Sequence, residues 1–194
     1  MIKRALKRMI SRVLVKLKFI YEENKLAIIY HNPNITVGEG LTIEEYFSAN
    51  LPPDNFSIKF GSYVRFKKYC HIFLLPKAEL IINSDVFFNN YCSINCVEKI
   101  VIGENTMFGE GVKLYDHNHL YDYKDNNLIV EKDKFKTAPI YIGKNCWIGS
   151  NVTILKGVTI GDNVVIGANN LIYKSIANNT IIKAKTDYIT ESHS

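Results

Sequence analysis

The chain has 194 residues, 47% of them hydrophobic, with 24 basic and 19 acidic side chains and a formal charge of +5. That is length and apolar content for one domain with a continuous core, and it predicts no second globular unit. No apolar run approaches a membrane span and no signal-peptide cleavage pattern follows the first residues, so a cytoplasmic protein is expected, with Cys70, Cys92, Cys96 and Cys146 as small core residues rather than a disulfide frame.

The charge sits at one end. Lys3, Arg4, Lys7, Arg8, Arg12, Lys16 and Lys18 put seven cations and no acid into the first 18 residues, while the remainder, with 17 basic and 19 acidic residues, is close to neutral. Among them Ile2, Leu6, Met9, Ile10, Val13, Leu14 and Leu17 recur at helical spacing, which predicts a basic amphipathic helical segment over residues 1–30. Its apolar face needs a partner. Docking on the rest of the protein or on a neighbouring subunit, and peripheral contact of residues 1–20 with the inner face of an anionic cytoplasmic membrane, both stay open. Nucleic acid is not expected, because no aromatic and basic surface accompanies the helix in the body of the chain.

From about residue 31 the pattern changes. Val37 and Ile43, then Phe60, Phe66 and Ile72, then Ile82, Phe88 and Ile94, then Ile102, Phe108 and Leu114 stand six apart, with two extra residues between Ile94 and Ile102 that must bulge at a corner. After residue 139 the repeat is strict: Ile142, Ile148, Ile154, Ile160, Ile166 and Ile172 form one series, and Ile140, Cys146, Val152, Val158 and Val164 a second, two residues earlier. A helix turns about 100° per residue and would scatter positions six apart around its circumference, whereas a short strand needs only alternation within each hexad. The turns are written Gly143-Lys144-Asn145, Gly161-Asp162-Asn163 and Gly167-Ala168-Asn169-Asn170, and Gly and Asn accept positive φ at low cost. Three hexads close a triangular coil. The expected fold is an all-β solenoid, a parallel β-helix of roughly six or seven coils over residues 31–186, with a tail at 187–194.

The register breaks after Leu114 and resumes at Ile140, so residues 115–139 form one long excursion, read as a functional or a disordered loop. It opens with Tyr115-Asp116-His117-Asn118-His119, two imidazoles and a carboxylate where the last strand gives way. A histidine near its reference pKa of about 6.5 is substantially neutral at physiological pH and able to accept a proton, which suits general-base catalysis. Strand residues i and i+2 share a face, so His117 and His119 are spaced for a shared metal, but no third ligand is evident and no metal is expected. Asp116 has three readings: it orients an imidazole, binds a ligand hydroxyl, or makes an Asx turn. Tyr121, Tyr123 and Phe135, set among charged residues, suit stacking on sugar rings or anchoring of the loop itself.

The run from Ile142 to Ala168, with its Ile-Gly-x-Asn and Val-x-Ile-Gly hexads, resembles the hexapeptide-repeat acyltransferases, and within them most closely the sugar and polysaccharide O-acetyltransferases, including the galactoside and maltose enzymes and those that decorate capsule and lipopolysaccharide. The resemblance covers most of the chain after about residue 35. It implies a left-handed β-helix, acetyl-CoA as co-substrate, a sugar or glycan acceptor, and a homotrimer with each active site in a groove between neighbouring prisms. Aligned through Ile102-Gly103 and Gly111-Val112, His119 falls where the family places its catalytic base and His117 does not. Within Phe87-Phe88-Asn89-Asn90-Tyr91, Asn90 matches an asparagine that helps to hold the acceptor, with Asn95 as the fallback; Asp116 and His117 are further acceptor-side candidates. Trp147 and Ser150 match positions lining the acyl-CoA groove, with a backbone N–H near Ser150 as a candidate oxyanion donor, and Ala168, Tyr173 and Lys174 match later groove positions. Lys174, Lys183 and Lys185 are candidates for the CoA phosphates.

Relatives usually end on a Gly-x-Pro-Ala-like turn near the adenine end of CoA; this chain has Lys183-Ala184-Lys185-Thr186 instead. The resemblance thus implies an acetyl-CoA-dependent O-acetyltransferase. An amino-sugar N-acetyltransferase and a non-catalytic assembly subunit stay open beside it, and a carbonic anhydrase, which would need three placed histidines, ranks below both.

Overall fold

The structure, a computed structural model, describes residues 10, 12–14, 16 and 27–183. Residues 10, 12–14 and 16 are helical, and Ile10, Val13 and Leu14 are 47%, 50% and 60% exposed. The rest of the segment before residue 27, together with Lys185 and the 187–194 tail, lies outside the described residues. No helix among the described residues is long and apolar enough to cross a membrane. Residues 27–30 are helical and bring Ile29 onto the end of the core.

The first coil consists of β1 (Ile35–Val37), β2 (Thr42–Ile43) and β3 (Ser48–Asn50), and the second of β4 (Ser57–Phe60), β5 (Arg65–Phe66) and β6 (His71–Leu74). The third has β7 (Glu79–Ile82), β8 (Phe87–Phe88) and β9 (Ser93–Cys96), and the fourth β10 (Lys99–Ile102), β11 (Met107–Phe108) and β12 (Lys113–Tyr115). After β13 (His117–Lys124) and β14 (Asn127–Thr137) come a fifth coil, β15 (Ile140–Ile142), β16 (Trp147–Ile148) and β17 (Thr153–Leu155), and a sixth, β18 (Thr159–Ile160), β19 (Val165–Ile166) and β20 (Leu171–Ile172). β21 (Ile181–Ile182) belongs to a partial seventh. Each coil gives one strand to each of three parallel sheets, which are the faces of a left-handed β-helical prism.

The hexad spacing becomes vertical register. Phe60, Ile82, Ile102, Ile142 and Ile160 pair in succession up the first sheet, all of them buried. Inside the second sheet Phe66, Phe88 and Phe108 stack with centroids 4.6 Å apart at each step. Each such buried side chain contributes roughly 1.5–3 kcal/mol of hydrophobic stabilisation. Coils this close leave no room for a side chain at some corners: a Cβ on Gly143 would lie 2.6 Å from the backbone of Gly161 in the next coil. At the neighbouring corner position Asn105, Asn145, Asn163 and Asn179 adopt positive φ and hydrogen-bond amide to amide up the prism, at 2.9, 3.2 and 3.0 Å.

The excursion is not the structureless loop that its length suggests. β13 and β14 form an antiparallel hairpin closed by Asp125 and Asn126, both at positive φ, the conformation of a tight primed turn. The signal was present as Asp-Asn between two alternating stretches, Tyr121/Tyr123 and Leu128/Val130, which pair across the ribbon as Tyr121 with Val130 and Tyr123 with Leu128.

Candidate active site

Asp116 follows directly on β12, where the hairpin leaves the prism, and is fully buried. The previous coil carries its two extra residues at this corner, and their backbone donors need acceptors. The carboxylate supplies them: the N–H of Val97 donates to Oδ1 at 2.8 Å and to Oδ2 at 3.0 Å, and those of Glu98 and Lys99 donate to Oδ2 at 2.8 and 2.9 Å. The Asp116 carbonyl accepts from Ala138 N–H at 2.9 Å, so both ends of the excursion are tied at one point. Burial, and then this carboxylate, push the neighbouring Cys96 thiol up. The carboxylate is wholly buried, with its oxygens turned to these backbone groups and to His117.

His117 lies beside it. Its Nδ1 lies 3.2 Å from Asp116 Oδ1, and its side chain is 13% exposed. A carboxylate can only accept, so Nδ1 is the donor, which in a neutral ring makes Nε2 the acceptor. The same reasoning applies to His119, whose Nδ1 lies 3.1 Å from the Glu131 carbonyl oxygen. Both imidazoles rest on Phe135, with centroids at 5.0 and 4.8 Å, which confirms the shared strand face. They differ in access. His119 is exposed and lines a cavity of about 450 Å³ with Asn118, Leu120, Tyr121, Lys136 and Lys156; His117 does not line it.

Lys136 and Lys156 were not singled out from the sequence. Lys156 sits at the corner after β17, which Gly157 ties to the hairpin end by donating to Ala138 O at 3.1 Å. Coil register alone, which puts this corner one level above the hairpin root, would have pointed to it. Among the described residues no group of three or more His, Cys, Asp or Glu could hold a metal ion.

The groove candidates lie elsewhere on the prism. Trp147 is 52% exposed, paired between Met107 and Val165 in an outward apolar row of the second sheet that Phe87 and Ile181 extend. Ser150 lies at the corner after that sheet and lines a second cavity, of about 430 Å³. Ala168 is one coil further on; a Cβ on Gly149 would lie 2.6 Å from its nitrogen. Asn90 occupies the same edge, where its Oδ1 accepts from Lys68 N–H at 3.1 Å, the turn chemistry of a corner asparagine. Asn95 donates to Ser93 Oγ at 2.9 Å. Tyr173 is 64% exposed with Lys174 Nζ 5.7 Å from its ring centroid. The structure thus brings Asp116, His117 and His119 together and sets Ser150 and Ala168 on one edge, but Trp147 and Ser150 do not line the His119 cavity of the same chain.

Residues 139–174 match the family model of the bacterial transferase hexapeptide, six repeats. No curated protein sequence matches the chain. Among solved structures it is similar to mutants of AntD, an N-acyltransferase from Bacillus cereus. One in complex with dTDP and coenzyme A is 21% identical, with a TM-score of 0.62 over 81% of this chain and 83% of that one. Another, with dTDP-4-amino-4,6-dideoxyglucose and coenzyme A, is 20% identical, with the same score and coverage. A maltose O-acetyltransferase from Clostridium difficile 630 is 28% identical over 75% of this chain and 63% of its own, with a TM-score of 0.48. The AntD likeness shows the fold, and the matched span is the strict repeat of the fifth and sixth coils.

Proposed function

We propose that this hexapeptide-repeat protein is an acyltransferase that moves an acetyl group from acetyl-CoA to a hydroxyl of a sugar or surface polysaccharide, with His119 as general base. The observation that carries this reading is the placement of His119: its Nδ1 lies 3.1 Å from the Glu131 carbonyl oxygen, so that a neutral ring has Nε2 as its acceptor, and the residue lines an open cavity. The hydroxyl oxygen attacks the thioester carbonyl carbon as Nε2 takes its proton. The tetrahedral intermediate then collapses, the C–S bond breaks, and the imidazolium returns the proton to the CoA thiolate. No acyl-enzyme is needed. Proton transfer of this kind contributes about 10²- to 10⁴-fold.

Lys136 and Lys156 bring two basic side chains to the same cavity, where they suit an anionic sugar and offer charge to a developing oxyanion. They serve transfer to a hydroxyl and the second reading, N-acetylation of an amino sugar, alike. Trp147, Ser150, Ala168, Tyr173 and Lys174 are assigned to the acyl-CoA groove, and Asn90 to the acceptor. Because one chain keeps Trp147 and His119 apart, the complete site is assigned to the junction of two prisms in a homotrimer, which would also cover the row from Phe87 to Ile181. The exposed Ile10, Val13 and Leu14 suit docking of the first helix on that trimer or on the inner face of the cytoplasmic membrane.

Free-thiol release from acetyl-CoA with a panel of glycans tests the reading. Wild type should release thiol only with an acceptor, His119→Ala should lose at least about 10²-fold, and mild alkali should remove the acetyl group from the product as it does from esters and not from amides. Undiminished activity in His119→Ala moves the base elsewhere, His117 first. A folded protein that binds no acetyl-CoA is the non-catalytic subunit.

A further inference from the structure

One corner of the prism carries side chains that its backbone does not favour. At the turn after the second sheet, the equivalent residues of coils one to six are Tyr46, Tyr69, Tyr91, Gly111, Asn151 and Asn169, all at φ between 57° and 70°. Their equivalence is fixed by hydrogen bonds: each N–H from Tyr69 onward donates to the carbonyl one residue before its counterpart in the coil below, as Tyr91 N to Lys68 O and Gly111 N to Asn90 O. Left-handed backbone is uncommon for a bulky residue, and such outliers gather at functional sites. Elsewhere this chain fills the conformation mostly with Asn, Asp or Gly.

The three tyrosines form a surface stack. Tyr46 and Tyr69 have centroids 4.7 Å apart and Tyr69 and Tyr91 4.9 Å, each pair within 5° of parallel, and the three residues are 44–54% exposed. At Gly111 the stack stops. The fourth rung has no side chain, and Asn151 stands on the fifth. Coils repeat at about 4.8 Å, so a slot about one ring thick is left over the outer part of Tyr91, closed at its inner end by the Asn151 amide that reaches down to the Gly111 level. The 430 Å³ cavity is this place, lined by Tyr91, Glu110, Gly111, Lys113, Ser150 and Asn151.

We infer that the fourth rung, which borders the assigned acyl-CoA groove at Ser150, binds a pyranose ring of the acceptor glycan over its outer part, at a subsite apart from the His119 cavity. The choice of a sugar rests on the proposed transfer to a glycan. It is also favoured by the lining. Asn151 gives its Nδ2 to Asn169, and its Oδ1 would lie 2.5 Å from a Cβ on Gly111, so an acceptor projects into the slot. Glu110 adds a carboxylate, and Lys113 Nζ is engaged by Gly111 O at 3.1 Å. This set suits hydroxyl groups on the rim of a ring that lies on tyrosine, and it lacks the cationic cluster that a nucleotide phosphate requires. β12 starts at Lys113 beside the slot, and Asp116 follows its last residue at the hairpin root. Four residue steps at about 3.3 Å each therefore bring the slot within about 13 Å of His117, a span suited to an oligosaccharide rather than a single ring.

Saturation-transfer NMR with the methyl glycosides of glucose and galactose, and with AMP as a flat, charged control, tests this without acetyl-CoA. Wild type should transfer saturation to glycoside ring protons. Gly111→Tyr, at a φ that three tyrosines of this corner already adopt and facing only the movable Asn151 amide, should complete the stack and abolish the signal. Tyr91→Leu should weaken binding roughly 2- to 10-fold. Both variants should keep cooperative thermal unfolding, and His119→Ala should retain the signal. Absence of glycoside saturation in wild type, undiminished saturation in Gly111→Tyr, or saturation of AMP in place of the glycosides overturns the inference. Whether wild type carries out the transfer reaction is decided separately, by thiol release.

Discussion

The four coils before the hairpin and the coils after it build the same prism from different residues. After residue 139 every left-handed corner among the described residues is Asn or Gly, and the core is almost wholly Ile and Val. Before residue 116 the corners include Tyr46, Tyr63, Tyr69, Lys77, Asp85 and Tyr91, and the core is packed with Phe47, Phe56, Phe60, Phe66, Phe88 and Phe108. The fold therefore demands a corner conformation and a volume at each vertical level; it does not demand particular residues. The family model matches only the half in which the cheap residues were used.

If the aromatic half is held by its phenylalanine ladder, the largest loss should follow from cutting it. Phe88→Ala removes the middle ring, stacked on both sides, and should destabilise by about 3–5 kcal/mol, against about 0.5–1.5 kcal/mol for Ile148→Val two levels up the same sheet in the regular half. Urea midpoints at constant m-value measure both. Equal losses would mean that the two halves are held alike. At the boundary between them, Asp116→Ala strands the N–H groups of Val97, Glu98 and Lys99 and should cost about 1–3 kcal/mol. Because His117 and the hairpin root also lose their anchor, thiol release should fall too, and Asp116→Asn, which keeps an acceptor oxygen, should recover part of the stability.

How much was legible follows the same division. Ile142 to Ile172 declared strands, faces and register, because in a hexad repeat one apolar series can occupy only one side of a flat strand. The earlier series from Phe60 to Leu114 also held, down to the two-residue bulge at Val97 and Glu98. The hairpin was hidden by length, although Asp125-Asn126 announced its turn. The tyrosine corners were invisible, since propensity assigns Tyr to strands and not to positive φ. For the candidate site, His117 and His119 were readable as a pair on one strand face. Lys136 and Lys156 were not, because only coil stacking brings residues from three segments to one cavity.

The tyrosine corners sharpen the comparison at smaller scale. Asn163→Ala loses the residue best suited to φ 57° and its amide bonds up and down the ladder, and should cost about 1–2 kcal/mol. Tyr69→Asn installs the cheap corner residue at φ 60° but removes two parallel ring contacts, each contributing about 0.5–1.5 kcal/mol. The result should lie between neutrality and a loss of about 1 kcal/mol. A clear gain in thermal midpoint would show that the stack does not stabilise the fold and that the tyrosines are kept for binding alone.

The smallest effect should come from His71, on the outer side of the third sheet beneath Ser93. Burial lowers its pKa from 6.5, and its Nδ1 lies 2.8 Å from Ser48 Oγ. The unfolded chain therefore takes up this proton at a higher pH than the folded one does. Stability from the neutral ring is fully present above about pH 6.5 and is lost as pH falls through that value toward the lower folded pKa. Urea midpoints of wild type should decline on going from pH 7.5 to 5 by more than those of His71→Gln, which has no titrating group. The regular half carries no histidine in its described strands, so this acid sensitivity belongs to the aromatic half; an identical decline in both proteins would assign it to groups elsewhere.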